Sequence, residues 1–223
     1  MKSFGKLIAA SMAAVTVFST TAFAADNTKY ADTLGSLGLL RGTEKGYELE
    51  KTFTREESVT ILVRLLGDEA KLNAADYQPV FKDVPADRWS YAYTMYCHDN
   101  GITKGTAADE FSPEADVSAD QFVTLVLRLL GYTDATPENA FEYANAVGML
   151  NSAVAADYKS AKSFLRDDMV YVVYRALMTN TKDGDILAKA LNQKGIISDK
   201  DLKQFDLYGN ISDINELIDG LME

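Results

Sequence analysis

Cysteine is nearly absent from this 223-residue chain, which has Cys97 alone. No internal disulfide can therefore hold the fold, and apolar packing must do so. Histidine also occurs once, at His98, so a zinc site has no second imidazole to draw on. Basic residues are scarce: 22 Lys and Arg face 33 Asp and Glu, a net charge of −11. That balance argues against nucleic acid and anionic membranes as partners, since both select basic patches. The sequence shows no phosphate-cradling glycine loop, no metal cluster and no serine or cysteine at an interpretable spacing from His98. Carboxylates are abundant enough for a glycosidase-like pair, but the repeats described below use up nearly all of the chain. No enzyme activity and no cofactor is expected.

What the chain does have is apolar mass. Hydrophobic residues make up 47% of it, enough to bury a sizeable core in one or two domains. Residues 1–24 stand apart from that core. Lys2 and Lys6 precede an apolar run from Leu7 to Phe18, and Ala22-Phe23-Ala24 supplies the small-x-small pattern of a signal peptidase site. These residues read as a cleaved secretory leader. Its loss makes the remaining chain two charges more acidic, and no other stretch approaches membrane-spanning length.

The remainder is repetitive. Residues 53–67 align with 117–131 at an offset of 64, and again with 164–178 at a further offset of 47. Apolar residues recur at Val59, Leu62, Val63 and Leu66, at Val123, Val126, Leu127 and Leu130, and at Val170, Val173, Tyr174 and Leu177. This i, i+3, i+4, i+7 spacing predicts three equivalent core helices. A shorter helix precedes each, ending at Gly38, Gly101 and Gly148, where glycine can take the left-handed conformation that stops helices. Each unit reads as helix, loop, helix, over about 27–67, 81–132 and 137–179. The loops carry Gly42, Gly105 and, in the third unit, Ser152. Cys97 aligns with Leu34 and Ala144, which makes it a small buried core thiol. His98 falls on the helix surface.

The middle unit shows, in order, Phe81-Lys82-Asp83-Val84, Trp89, Gly101-Ile102-Thr103-Lys104-Gly105, Phe111-Ser112-Pro113 and a long helix ending Leu129-Leu130-Gly131. In these features the chain resembles the S-layer homology domains of bacterial surface proteins. The resemblance spans residues 27–180, closest in the second unit and loosest in the third. It implies an all-α, three-unit bundle with pseudo-threefold arrangement, secreted to the cell surface. Its implied partner is the secondary cell-wall polysaccharide, bound non-covalently. An alternative is a surface assembly protein that keeps the fold and works through contacts with other surface proteins.

The start of each long helix carries the chemistry. Thr54 with Glu57, and Ser118 with Gln121, have capping-box spacing, which by itself explains all four. It does not explain Arg55, a cation in a first helical turn where the macrodipole disfavours one. Arg55 and Arg166 occupy the same aligned position. Either they join free backbone N–H groups in an anion site, or they pair with Glu56 and Asp167 on a solvated surface. In the S-layer homology family this arginine is implicated in binding acidic, often pyruvylated, sugars between adjacent units. The middle unit has Ala119 there instead, so at most two working sites are expected. The candidate ligand-binding residues are Arg55, Arg166, Thr54, Glu57, Trp89 and Gly105. Trp89 can serve as a stacking platform for a sugar, although a lone tryptophan at a helix start is expected to be a packing anchor first.

Beyond residue 180 the repeat stops. Residues 181–223 form a C-terminal extension, with short helices predicted at 185–194 and 200–205 and an amphipathic one at 212–222.

Overall fold

The computed structural model describes residues 27–205. The predicted leader and the helix at 212–222 lie outside the described residues. Within them the fold is all-α, as expected, and its only β pairing consists of isolated bridges.

The helices are α1 (Thr28–Ser36), α2 (Arg55–Leu66), α3 (Tyr91–Asp99), α4 (Ala119–Leu129), α5 (Ala140–Ala146), α6 (Ser152–Ser160), α7 (Arg166–Leu177), α8 (Leu187–Gln193) and α9 (Asp199–Leu202). The three long helices are α2, α4 and α7, and the predicted apolar stripes on them are buried or half-buried. The short helices α1, α3 and α5 each run into a glycine with φ near +70°, at Gly38, Gly101 and Gly148. That backbone conformation costs a residue with a Cβ more than it costs glycine.

Packing crosses between the aligned segments. The short helix α3 rests on α2, α5 rests on α4, and α1 reaches across the chain to rest on α7. Each short helix thus leans on the long helix of the segment before it, and the first closes onto the third. Where the segments meet, Phe53, Phe122 and Phe164 form a triangle with ring centres 5.2, 5.7 and 5.7 Å apart. Edge and tilted pairs of this kind contribute beyond their buried area.

Cys97 is fully buried, and burial pushes its thiol well above the usual range, consistent with a core role. The third segment departs from the predicted pattern. The first two segments make tight turns bridged at Thr43–Gly46 and Ala107–Glu110. In the third, α6 takes their place, capped by the Asn151 side chain accepting from the Val154 N–H at 2.9 Å.

The extension packs on the bundle. The Lys182 N–H donates to the Leu130 carbonyl at 2.8 Å. Phe205 is buried with its ring 5.7 Å from that of Tyr174.

Candidate functional site

The aligned first-turn position holds Arg55 on α2, Ala119 on α4 and Arg166 on α7. Arg55 is 5% exposed. Its Nε donates to the Phe111 carbonyl at 2.7 Å and its Nη1 to Gln121 Oε1 at 3.2 Å. The guanidinium carbon sits 4.9 Å from the centre of the Phe111 ring, a cation–π distance. Burial pulls this group below its ordinary value, and the Asp83 charge opposes the pull. An arginine stays protonated through such a shift.

Arg166 repeats the arrangement across another junction. Its Nε donates to the Tyr47 carbonyl at 3.0 Å and its Nη1 to Glu57 Oε1 at 3.4 Å. Tyr47 is the aligned counterpart of Phe111, and Glu57 that of Gln121. Neither arginine pairs with the adjacent acid. Glu56 instead takes Arg88 through both carboxylate oxygens, at 2.8 and 2.9 Å, and Ser90 at 2.6 Å. Burial raises Glu56, yet these partners together hold its carboxyl below the usual range. Asp167 takes the backbone and side-chain N–H groups of Asn27 at 3.0 and 2.7 Å, pinning the start of α1 to α7.

The first-turn N–H groups are also occupied. The Arg55 N–H donates to the Ala115 carbonyl and the Glu56 N–H to Pro113; correspondingly, the Arg166 N–H donates to Lys51 and the Asp167 N–H to Leu49. The expectation of free N–H groups beside each arginine therefore fails. The preceding segment of the neighbouring unit has already satisfied them. Asp83 holds that segment in place by accepting from the Phe111 and Ser112 N–H groups at 2.9 and 2.7 Å.

The Thr54–Glu57 capping box is formed, with the Thr54 N–H donating to Glu57 Oε2 at 2.8 Å and the Glu57 N–H to Thr54 Oγ1 at 3.3 Å. Thr54 is thus engaged in capping, whereas Glu57 both caps α2 and reaches Arg166. Gly105 lies in the second turn at φ +77°, and a Cβ there would stand 2.4 Å from the Glu110 carbonyl oxygen and 2.6 Å from the Phe81 ring. Close packing accounts for that glycine. Trp89 is 57% exposed, so the expectation of a packing anchor fails. Its ring is 6.3 Å from that of Tyr93, and the rest of it faces solvent.

Trp89, Arg166 and Glu57 meet in one groove of about 380 Å³ between the first and third segments. Arg41, Lys51 and Arg64 line it as well, with Glu48 as the other carboxylate. In a chain of net charge −11, this surface is locally cationic. Glu69 accepts from both Arg41 and Arg64, and its Oε1 accepts from the Tyr93 hydroxyl at 2.8 Å. Two guanidinium groups therefore share one carboxylate at the groove wall. The repeat alignment could not find Arg41, Lys51 or Glu69, because none lies at a recurring position. Among the described residues no group of acids, Cys97 and His98 could hold a metal ion, and no helix is long and apolar enough to cross a membrane.

Residues 80–122, which supply Asp83, Trp89 and the Phe111 turn, match the family model for the S-layer homology domain. The chain carries an S-layer homology domain. Similar proteins include a middle cell wall protein of Brevibacillus brevis, 27% identical over 70% of this chain and 17% of its own length. A surface layer protein of Brevibacillus choshinensis is 31% identical over 59% of this chain and 13% of its own. A cell surface protein of Thermoanaerobacter kivui is 28% identical over 87% of this chain and 28% of its own. The chain thus spans less than a third of each of these relatives. The S-layer homology match ends at residue 122, three residues into α4, and covers neither Arg55 nor Arg166.

Proposed function

We propose that this protein is a secreted, non-catalytic cell-surface module that binds an acidic secondary cell-wall polysaccharide. The observation that carries this reading is the groove where an exposed Trp89 stands beside Arg166, Arg41 and Lys51 in an otherwise acidic chain. An indole face stacks on a sugar ring, and guanidinium groups grip a carboxylate such as a pyruvyl substituent. The net negative charge opposes the approach of an anionic polymer, but that field is screened within roughly 10 Å at 0.1 M salt. Contacts inside the groove then decide the binding.

In this reading residues 1–24 are a leader, residues 25–180 form three units in a pseudo-threefold ring, and residues 181–223 are an extension. The cyclic packing of α1 on α7, α3 on α2 and α5 on α4 supports the ring. Of the expected ligand residues, Arg166, Trp89 and Glu57 make up the groove. Arg55, Thr54 and Gly105 act by holding its walls. A second reading, assembly through protein contacts, is favoured by the relatives described as surface layer proteins.

Cosedimentation with purified cell walls, before and after their secondary polysaccharide is stripped, separates the two. Polysaccharide binding predicts that stripping abolishes the pelleted fraction, and that Arg166→Ala and Trp89→Ala each lower it on intact walls. Binding that survives stripping contradicts the proposal and favours the second reading.

A further inference from the structure

Two junctions of the bundle are built alike, and the third is not. At the first, Arg55 reaches the Phe111 carbonyl and Gln121; at the second, Arg166 reaches the Tyr47 carbonyl and Glu57. Antiparallel bridges accompany them, Thr54 with Asp116 and Leu165 with Thr52. The aligned residues of the remaining junction are Ala119, Tyr158 and Asp168, with Ser118 facing Ser163 where the bridge would be. No such bridge forms there among the described residues. Instead a cavity of about 520 Å³ opens between α4, α5 and α6, with Ala119 and Tyr158 in its walls.

The surroundings of this cavity suit a cation. Asp116, Asp120 and Glu138 line it. Of its two lysines, Lys159 is drawn over the Phe141 ring at 5.5 Å, and Lys162 is exposed. Asp168, the counterpart of Gln121 and Glu57, accepts from the Leu165 N–H at 2.9 Å. Among the described residues no cation stands within ion-pair distance of it. The Tyr158 ring occupies the place of the Phe111 ring over which Arg55 lies.

We propose that the cavity beside Ala119 takes a guanidinium group supplied from outside the domain, in the manner in which the chain's own Arg55 and Arg166 are taken at the two matching junctions. An arginine side chain of another polypeptide and a small guanidino compound share this chemistry. Carbonyl and carboxylate acceptors, an aromatic face and an acidic rim are what a planar, five-donor cation requires. The ligand is opposite in charge to that of the Trp89 groove, so the inference stands apart from the proposed polysaccharide binding.

The test uses the secreted chain, residues 25–223, labelled with nitrogen-15 and titrated with agmatine at constant ionic strength. The expected result is saturable movement of the Ala119, Asp120 and Tyr158 amide signals, with a midpoint on the order of millimolar. N-butylurea, neutral and of similar shape, should leave them in place. Ala119→Arg, which supplies the guanidinium internally, and Ala119→Leu, which fills the space without charge, should each abolish the movement. The leucine variant keeps the test decisive if the arginine variant does not fold. A pentapeptide with one central arginine, capped at both ends, distinguishes the sources. Binding by both probes points to a polypeptide arginine, and binding by agmatine alone to a small compound. Signals that do not move, that move equally with the urea, or that move equally in Ala119→Leu overturn the proposal.

Discussion

Arg55 on the first long helix donates to the carbonyl oxygen of Phe111, 56 residues away, at 2.7 Å, and lies over that residue's ring. A residue type chosen elsewhere for gripping anions is here used as a bolt between two segments. Arg166 makes the same reach to Tyr47 but does so at the edge of a groove. The same side chain therefore has different consequences at two aligned positions.

Arg55→Ala should behave as a stability variant. It removes two hydrogen bonds and a cation–π contact from a buried site and leaves a cavity. An unfolding free energy lower by about 2–4 kcal/mol is expected, read by urea denaturation. Arg166→Ala should cost about 1 kcal/mol or less, because its partner Glu57 is half-exposed and the contact is long. Equal losses for the two would contradict the assignment of different roles.

Glu56→Gln should also destabilise, by about 2–3 kcal/mol, because Arg88 loses a bidentate carboxylate at a site where Glu56 is nearly buried. Arg88 is only partly buried and can rehydrate, which keeps the loss below that of a fully buried pair. Thermal unfolding of the single and double variants, Glu56→Gln with Arg88→Met, measures the coupling. Additive losses would mean that the pair does not act as a unit.

Asp168 gives the pH dependence a sign. Burial raises its carboxyl above the usual 3.8, the Leu165 N–H pulls the other way, and the neighbouring Asp167 charge raises it further. A raised folded-state value means that the fold favours the neutral acid, so the charged form costs stability above that value. The cost is absent below the unfolded value. Asp168→Asn keeps an acceptor for the Leu165 N–H and should be more stable than the parent at pH 7. The difference should shrink as pH falls toward 3.8. A variant less stable than the parent at pH 7 would contradict this.

The extension leans on the long helices through Gly67. Its φ is +74°, and a Cβ there would come within 2.4 Å of the Ile196 side chain. Gly67→Ala should lower the midpoint of thermal unfolding by several degrees, as about 1–2 kcal/mol does in a domain of this size. Ile196→Ala, which removes the clash, should recover part of the loss when combined with it. Independent, additive effects would argue that the two residues do not touch.

The helices were legible in the sequence because periodicity and glycine placement are local properties. The stripes on α2, α4 and α7 and the stops at Gly38, Gly101 and Gly148 all follow from them. The position of the first-turn arginines was legible too, as was the capping by Thr54 and Glu57. The partners of the arginines were not, because Phe111 and Tyr47 contribute carbonyl oxygens, which no side-chain pattern reports. Periodicity also could not show that α6 replaces a turn, nor that Ala119 opens a cavity where its counterparts close one. The exposure of Trp89 depends on Arg41, Arg64 and Glu69, none of which recurs along the chain.

The most direct test of the central claim is the fraction of protein that cosediments with intact cell walls for the parent, Arg166→Ala and Arg55→Lys. The account predicts that Arg166→Ala loses most of the pelleted fraction while remaining folded. Arg55→Lys, a change far from the cationic groove, should pellet as the parent does. Retained pelleting by a folded Arg166→Ala variant would contradict the claim that the groove of Arg166 and Trp89 binds the wall polymer.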